Sequence, residues 1–279
     1  MLFFSINDSP LAGREGDKVT SRMIWDRLCK EAEGNIALKI SRTDTTDSFE
    51  VAGRGELQLG VLIETMRREG FELSISRPKV LMKKDENGNL LEPIEEVTID
   101  VDEEFSGVVV EKLGQKRAEL VEMIPSQLGN KVRLIFNAPS RGLIGYHSEF
   151  LTDTRGTGVM NRLFKGYEPY KGEIESRRNG VLISAENGTA IAYSLWKLQE
   201  RGPMFIDPNV PVYVGMIIGE HTKSNDLEVN CCKSKQLTNI RAAGKDEAID
   251  LIPPRKLSLE QALSYIQSDE LLEVTPKTL

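Results

Sequence analysis

The sequence predicts an α+β protein: two ferredoxin-like β-α-β-β-α-β sandwiches followed by a β-rich C-terminal domain with a few helices. Three observations carry that prediction. Between Asp47 and Val80 a period-2 apolar pattern, a helical pattern and a second period-2 pattern follow one another within the length of one split β-α-β unit. The same order of patterns returns, less cleanly, between Pro78 and Pro169. Beyond Tyr170 the apolar runs shorten, and turn dipeptides part them.

In chain order, Phe4 and Ile6 mark a first strand, and Asn7-Asp8-Ser9-Pro10 with Gly13-Arg14-Glu15-Gly16 form the loop after it. Ile24, Leu28 and Ala32 recur at four-residue steps as the core stripe of a helix, with Thr20 or Ser21 as N-cap and Gly34-Asn35 as its stop. Leu38 and Ile40 mark a second strand, and Phe49 and Val51 alternate around Glu50 in a third. Gly53-Arg54-Gly55 turns the chain into a helix whose Leu59, Leu62, Ile63 and Met66 stand at i, i+3, i+4, i+7, with Glu64, Arg67, Arg68 and Glu69 on the solvated face. Glu56 falls in its first turn, where the helix dipole favours an anion. Gly70 ends this helix, and Phe71, Leu73 and Ile75 alternate up to Arg77-Pro78, closing a first domain over residues 1–77.

Residues 78–169 form the second sandwich. Asn87-Gly88 makes a hairpin between strands at 80–83 and 90–101, and Val109, Val110 and Leu113 give residues 103–115 a helical face. Strands at 120–124 and 132–136 follow. Leu143, Tyr146, His147 and Phe150 then have the spacing of a helix core face, and Gly156-Thr157-Gly158 leads into a last strand at 159–164. In the third domain, residues 170–279, strands are expected at Val181–Ala185, Ala190–Tyr193, Val212–Ile218 and Leu227–Cys231. Helices are expected at Leu195–Arg201 and after Ser258, through Leu259, Ala262, Leu263 and Ile266. These patterns do not define a topology.

Composition narrows the function classes. The 279 residues suffice for two or three domains, and 39% hydrophobic with 28% charged residues suits a soluble globular chain. No apolar run approaches the roughly 18 residues of a membrane helix, and the opening Met-Leu-Phe-Phe-Ser-Ile reads as a strand, the start of a truncated chain rather than a signal peptide. Three cysteines, Cys29 and the adjacent Cys231-Cys232, lack metal-ligand spacing and suit a reducing cytoplasm; Cys29, beside Leu28 and Ala32, is expected to be buried. The net charge of -7 argues against non-specific nucleic-acid binding by the whole surface.

Catalytic signatures are not found. The string nearest to a phosphate-binding loop, Ala242-Ala243-Gly244-Lys245-Asp246, has Asn239 where the first glycine is needed and an acid where Mg²⁺ needs a hydroxyl, so no nucleotide hydrolysis is expected of these residues. His147 and His221 have no partner at metal-ligand spacing, and no metal is expected. Arg14, between Gly13 and Gly16, could meet an anion at the start of the first helix, but Glu15 and Asp17 flank it.

One segment reverses the chain's charge balance. From Val229 to Lys245 there are Lys233, Lys235, Arg241 and Lys245, interleaved with Asn230, Ser234, Gln236, Thr238 and Asn239, and no Asp or Glu. Cations and neutral donors without carboxylates suit a phosphodiester backbone, so Lys233, Lys235, Asn239, Arg241 and Lys245 are the candidate RNA-binding residues. Arg141, Arg155, Arg177 and Arg178 are secondary candidates.

Gly-x-Gly-Glu-Leu-x-Leu at Gly53–Leu59, with the strand ending in Arg77-Pro78-Lys79-Val80, resembles domain III of the elongation factor G class of translational GTPases, and residues 78–169 resemble domain V of the same class. Met66-Arg67-Arg68-Glu69-Gly70-Phe71-Glu72 is similar to a ribosome-associated branch of that class with a C-terminal domain of its own, and the likeness extends over essentially the whole chain. The resemblance implies a C-terminal portion of such a protein, with GTP and Mg²⁺ confined to a G domain outside this sequence and no cofactor within it. It further implies the ribosome as partner, through large-subunit rRNA and the acceptor end of an A-site tRNA, and work in translation or subunit assembly under stress. No membrane and a monomeric state are expected. Two other readings stay open: an acylphosphatase-like hydrolase using Arg14, since acylphosphatases resemble the first sandwich, and a regulatory module holding a small effector between sheet edges.

Overall fold

The structure, a computed structural model, describes residues 1–125, 130–174, 177, 179–234 and 250–279. It is mixed α+β and divides into two compact units. One comprises Met1–Asp8, Ala12–Ser176 and Leu259–Leu279; the other comprises Arg177–Ser258 with Ser9–Leu11.

The first unit begins with β1 (Leu2–Ile6), α1 (Ser21–Gly34), β2 (Lys39–Arg42), β3 (Ser48–Ala52), α2 (Glu56–Arg68) and β4 (Leu73–Ser76), the expected order of elements. The strands lie side by side as β4-β1-β3-β2, all antiparallel. Register sets Phe4 beside both Phe49 and Ile75, and these three form the buried face on which Ile24 and Leu28 of α1 and Leu59, Leu62, Ile63 and Met66 of α2 close. Thr20 caps α1, its hydroxyl accepting from Met23 N at 3.4 Å. Arg27 ties α1 to the end of α2 through Glu69 at 2.7 Å.

This sheet has a further strand. After α6 (Leu259–Tyr265), which packs on α2, β15 (Leu271–Val274) pairs antiparallel with β4, Leu272 opposite Ile75 and Val274 opposite Leu73. By packing, Leu259–Leu279 belong with the first unit. Leu272 and Val274 are buried around half-exposed Glu273, and without β15 the edge of β4 would have unpaired backbone groups.

Elements between residues 83 and 169 repeat the plan: β5 (Lys83–Lys84), β6 (Leu90–Asp102), α3 (Glu103–Gln115), β7 (Glu119–Pro125), β8 (Lys131–Pro139), α4 (Tyr146–Asp153) and β9 (Val159–Pro169). Long β6 pairs with β8 along one side and β9 along the other, and β7 pairs with β8. Val97, Ile99, Leu134 and Phe136 face Val109, Leu113, Tyr146 and Phe150 in its core. The helix expected from Leu143 is broken, because Ser140–Leu143 form a 3-10 turn and Gly145, at φ +71°, redirects the chain before α4. Tyr146 and Phe150 therefore point into the core and His147 outward, contrary to the expected core position of His147. A Cβ on Gly145 would lie 2.3 Å from Ser264 Cβ of α6. Glu56, in the first turn of α2, reaches the second sheet's elements: its carboxylate accepts from Gly145 N, just before α4, at 3.1 Å and lies 3.6 Å from Arg162 of β9.

The second unit is built on β10 (Val181–Ser184), flanked by antiparallel β13 (Ile217–Glu220) and parallel β14 (Leu227–Val229). β11 (Gly188–Thr189) pairs with β12 (Pro211–Val212), and α5 (Ala192–Leu198) packs Leu195 and Leu198 against Leu182, Met204, Ile218 and Cys231. Two expectations fail here. Ala190–Tyr193 is not a strand: Ala190 exchanges backbone bonds with Val210 and Asn209, and the helix starts at Ala192. The single strand expected over Val212–Ile218 is interrupted at Gly215, which has φ +93°. Among the described residues no helix is long and apolar enough to cross a membrane.

Candidate nucleic-acid interface

Lys235, Asn239, Arg241, Lys245 and Arg178 lie outside the described residues. What the structure shows is how the cation-rich segment is held at its ends. On the incoming side Cys231 O accepts from Ile191 N at 2.9 Å, and Lys233 O accepts from Ser194 Oγ at 2.6 Å. On the outgoing side Gln199 Nε2 donates to Asp250 O at 3.1 Å while its Oε1 accepts from Ile252 N at 3.0 Å. Both stems are thus pinned by α5 and the residue that follows it. The side chain of Lys233 is exposed.

The secondary candidates are mostly engaged. Arg141 makes a two-pronged contact with Glu92, Nε to Oε2 at 2.6 Å and a second nitrogen to Oε1 at 3.3 Å; it also donates to Gly172 O and lies over the Tyr170 ring. Glu92 is fully buried and also accepts from Lys171 N at 2.6 Å, so this pair is internal structure. Arg177, its side chain 8% exposed, donates to Asn179 O and approaches Asp226 within 3.8 Å. Arg155 is exposed at φ +50°, with its guanidinium 5.6 Å from the Phe105 ring.

The Arg14 loop is organised around an anion, but one supplied by the chain itself. Glu72, fully buried, accepts from Gly13 N at 2.6 Å, Glu15 N at 2.9 Å and Gly16 N at 2.7 Å, with Asn7 Nδ2 at 3.5 Å. Burial opposes its charge, yet the amides of Gly13, Gly16 and Glu15 together with Asn7 hold its pKa below the usual carboxylate range. The cradle in which a hydrolase would seat a phosphate is filled by a carboxylate, and Arg14 points to solvent. Glu15 in turn accepts from the Thr275 and Thr278 hydroxyls, fastening the C-terminal tail to this loop.

His221 is buried, with Nδ1 2.6 Å from Asn225 O, and His147 is exposed. Among the described residues no group of three or more His, Cys, Asp or Glu could hold a metal ion. Cys231 is buried, while Cys29 and Cys232 are half-buried. Burial, with Cys231 alongside, pushes the Cys232 thiol up to about 11. A concavity of about 280 Å³ in the second unit is lined by Leu195, Met204, Ile206, Leu251, Ile252 and Pro253. Its polar neighbours are occupied, Gln199 by the stem and Asp207 by Lys256 at 3.0 Å, which leaves little to orient a small effector. A second cation-rich segment, Arg77 to Lys84, escaped the sequence reading.

Residues 179–279 match the TypA/BipA C-terminal domain, and residues 89–178 match the elongation factor G C-terminus. Over all 279 residues the chain is 53% identical to the large ribosomal subunit assembly factor BipA of Haemophilus influenzae, of which it covers 45%. Identity to the protein of the same name from Salmonella typhimurium is 52%, covering 46% of that protein, and to the one from Synechocystis 48% over 99% of this chain and 46% of that protein. The chain spans just under half the length of these relatives. By its middle third it belongs with proteins built like elongation factor G. Within that class it is a member of the TypA/BipA family, matched over its whole length and by that family's C-terminal domain.

Proposed function

We propose that this chain is the ribosome-docking portion of a BipA-type translational GTPase that works in large-subunit assembly or in translation under stress, in the cytoplasm. The observation that carries the reading is the acid-free segment between Val229 and Lys245, whose two stems are gripped by Ser194 and Gln199 in a domain of the BipA family. Lys233, Lys235, Asn239, Arg241 and Lys245 contact phosphates of large-subunit rRNA and of the acceptor end of an A-site tRNA. Two ferredoxin-like sandwiches, within residues 1–77 and 78–169, serve as a rigid mount; the strand order of each and the Glu56 link between them support this. GTP and Mg²⁺ belong to a G domain of the whole protein, and hydrolysis is its work rather than that of these residues. The chain acts as a monomer.

Co-sedimentation with ribosomes across a salt series tests this. Binding weakens steeply with salt, and Lys233→Gln, Lys235→Gln and Arg241→Gln together flatten the slope of log K against log salt by roughly 2 to 3, a little under one per phosphate contact. A triple variant with unchanged affinity and slope refutes the assignment.

A further inference from the structure

From Leu73 to Lys84 the chain contains no Asp or Glu and four cations, Arg77, Lys79, Lys83 and Lys84, as sharp a reversal of the net charge as the terminal segment shows. The ribbon joins the two sandwiches. Lys79, Lys83 and Lys84 are exposed, and among the described residues none of the four makes an ion pair. Neighbouring acids are mostly spoken for. The Asp85 carboxylate closes its own hairpin by accepting from Asn87 N, Asn89 N and Asn89 Nδ2, and Glu168 lies 3.3 Å from Lys171. Glu86 stands exposed at the hairpin tip.

Aromatic surface adjoins these cations. Lys83 Nζ sits 4.1 Å from the centroid of the Tyr167 ring, and Tyr167 meets Phe164 edge-on at 5.6 Å. Phe164 is 57% exposed and Leu163 69%, on a strand that continues through Lys165. Lys79 lies over Phe3 at 5.6 Å. An exposed ring beside unpaired lysines is more than charge attraction to an acidic protein requires. It is the combination that single-stranded RNA uses, cations along the backbone and a ring face for a base.

We propose that the Arg77–Lys84 ribbon and Phe164 form a second RNA-binding surface, which takes a single-stranded segment with Lys79, Lys83 and Lys84 on its phosphates and one base stacked on Phe164. This deepens the ribosome-docking reading and rests on it for the source of the RNA, though not for the chemistry of binding.

The test uses the full chain and a fluorescein-labelled single-stranded dodecamer containing 2-aminopurine, alongside ribosome co-sedimentation. Lys79→Gln, Lys83→Gln and Lys84→Gln together should flatten the salt slope for the dodecamer by about 2, at roughly 0.7 per contact on single strands. Phe164→Ala should weaken binding about five- to hundredfold and abolish the 2-aminopurine quench while leaving the slope unchanged, and Phe164→Tyr should restore both. Because Phe164 is exposed, these changes leave the fold intact, which thermal melting checks. If the ribbon variants bind dodecamer and ribosomes like the parent while the Lys233, Lys235, Arg241 variant loses ribosomes, this proposal falls and the docking reading stands. If ribosome binding drops in the ribbon variants with dodecamer binding unchanged, the surface serves a ribosomal protein and the RNA assignment is overturned. If neither set affects ribosomes, both readings fall.

Discussion

Replacing Glu72 by Gln tests whether the Arg14 loop is held by an internal anion. The substitution keeps the size of the side chain and one carbonyl oxygen, enough to go on accepting from Glu15 N and Gly16 N. The other oxygen, which accepts from Gly13 N at 2.6 Å, becomes an NH₂ that faces a donor. Losing one charge-assisted bond, at about 1.5–3 kcal/mol, and leaving a donor unsatisfied, at about 1–3 kcal/mol, gives a destabilisation of roughly 2.5–6 kcal/mol. In urea unfolding at pH 7 that moves the midpoint down by about 1–3 M at a slope of about 2 kcal/mol per M, typical of small domains. Acid gives an independent handle. Because the folded-state pKa of Glu72 is depressed, its stabilisation is present in full above the unfolded-state pKa of about 4.3 and is lost as pH falls through the folded value. The gap between parent and Glu72→Gln should therefore narrow as pH drops from 5 towards 3. A difference below about 0.5 kcal/mol at pH 7, the scatter expected for a surface change, or a gap that stays constant into acid, would refute this account.

Three further outcomes follow from single contacts. Arg141→Ala leaves Glu92 buried without its partner and should destabilise by about 3–5 kcal/mol in urea unfolding; Arg141→Lys should recover little, because an ammonium cannot make the two-pronged contact. Gly145→Ala should cost about 1–3 kcal/mol for the left-handed backbone, plus the clash with Ser264; adding Ser264→Gly relieves the clash but not the backbone strain, so the double variant recovers only in part. With its thiol near 11, Cys232 should react with iodoacetamide at pH 8 on the order of a hundredfold more slowly in the native protein than in urea, and equal rates would show that burial does not govern it.

Where one amphipathic face met one sheet, the sequence was enough. Phe49 and Val51 alternate around Glu50 and form a half-buried strand, and Leu59, Leu62, Ile63 and Met66 are the buried stripe of α2. Reading failed where periodicity gave way to backbone chemistry. Leu143, Tyr146, His147 and Phe150 keep helical spacing across Gly145, but positive φ there resets the phase and turns His147 outward. The same reversal of charge that marks Val229–Lys245 is legible at Arg77–Lys84, four cations without an acid. Glu72 was legible only as one more alternating residue after Gly70. Its partners, Gly13, Glu15 and Gly16, are more than fifty positions away, and no local pattern shows which acid enters which loop.

The return of the chain at β15 belongs to the same class of non-local effect. Leu271-Leu272-Glu273-Val274 alternates as a strand should, but four residues with one Glu are too short a signal until a partner edge is known. The partner, Leu73–Ser76, is almost two hundred residues earlier. Closing so long a loop is not prohibitive, because the entropic penalty grows only with the logarithm of loop length, about 0.6 kcal/mol per doubling. Burial of Leu272 and Val274, with Arg67 Nε donating to Thr275 O at 2.6 Å and Asn7 Nδ2 to Glu273 at 2.7 Å, offsets it. The docking also makes Arg177–Ser258 an insertion rather than a tail, covalently attached at both ends to one compact unit. The β15 pairing is therefore what holds the second of its two chain connections.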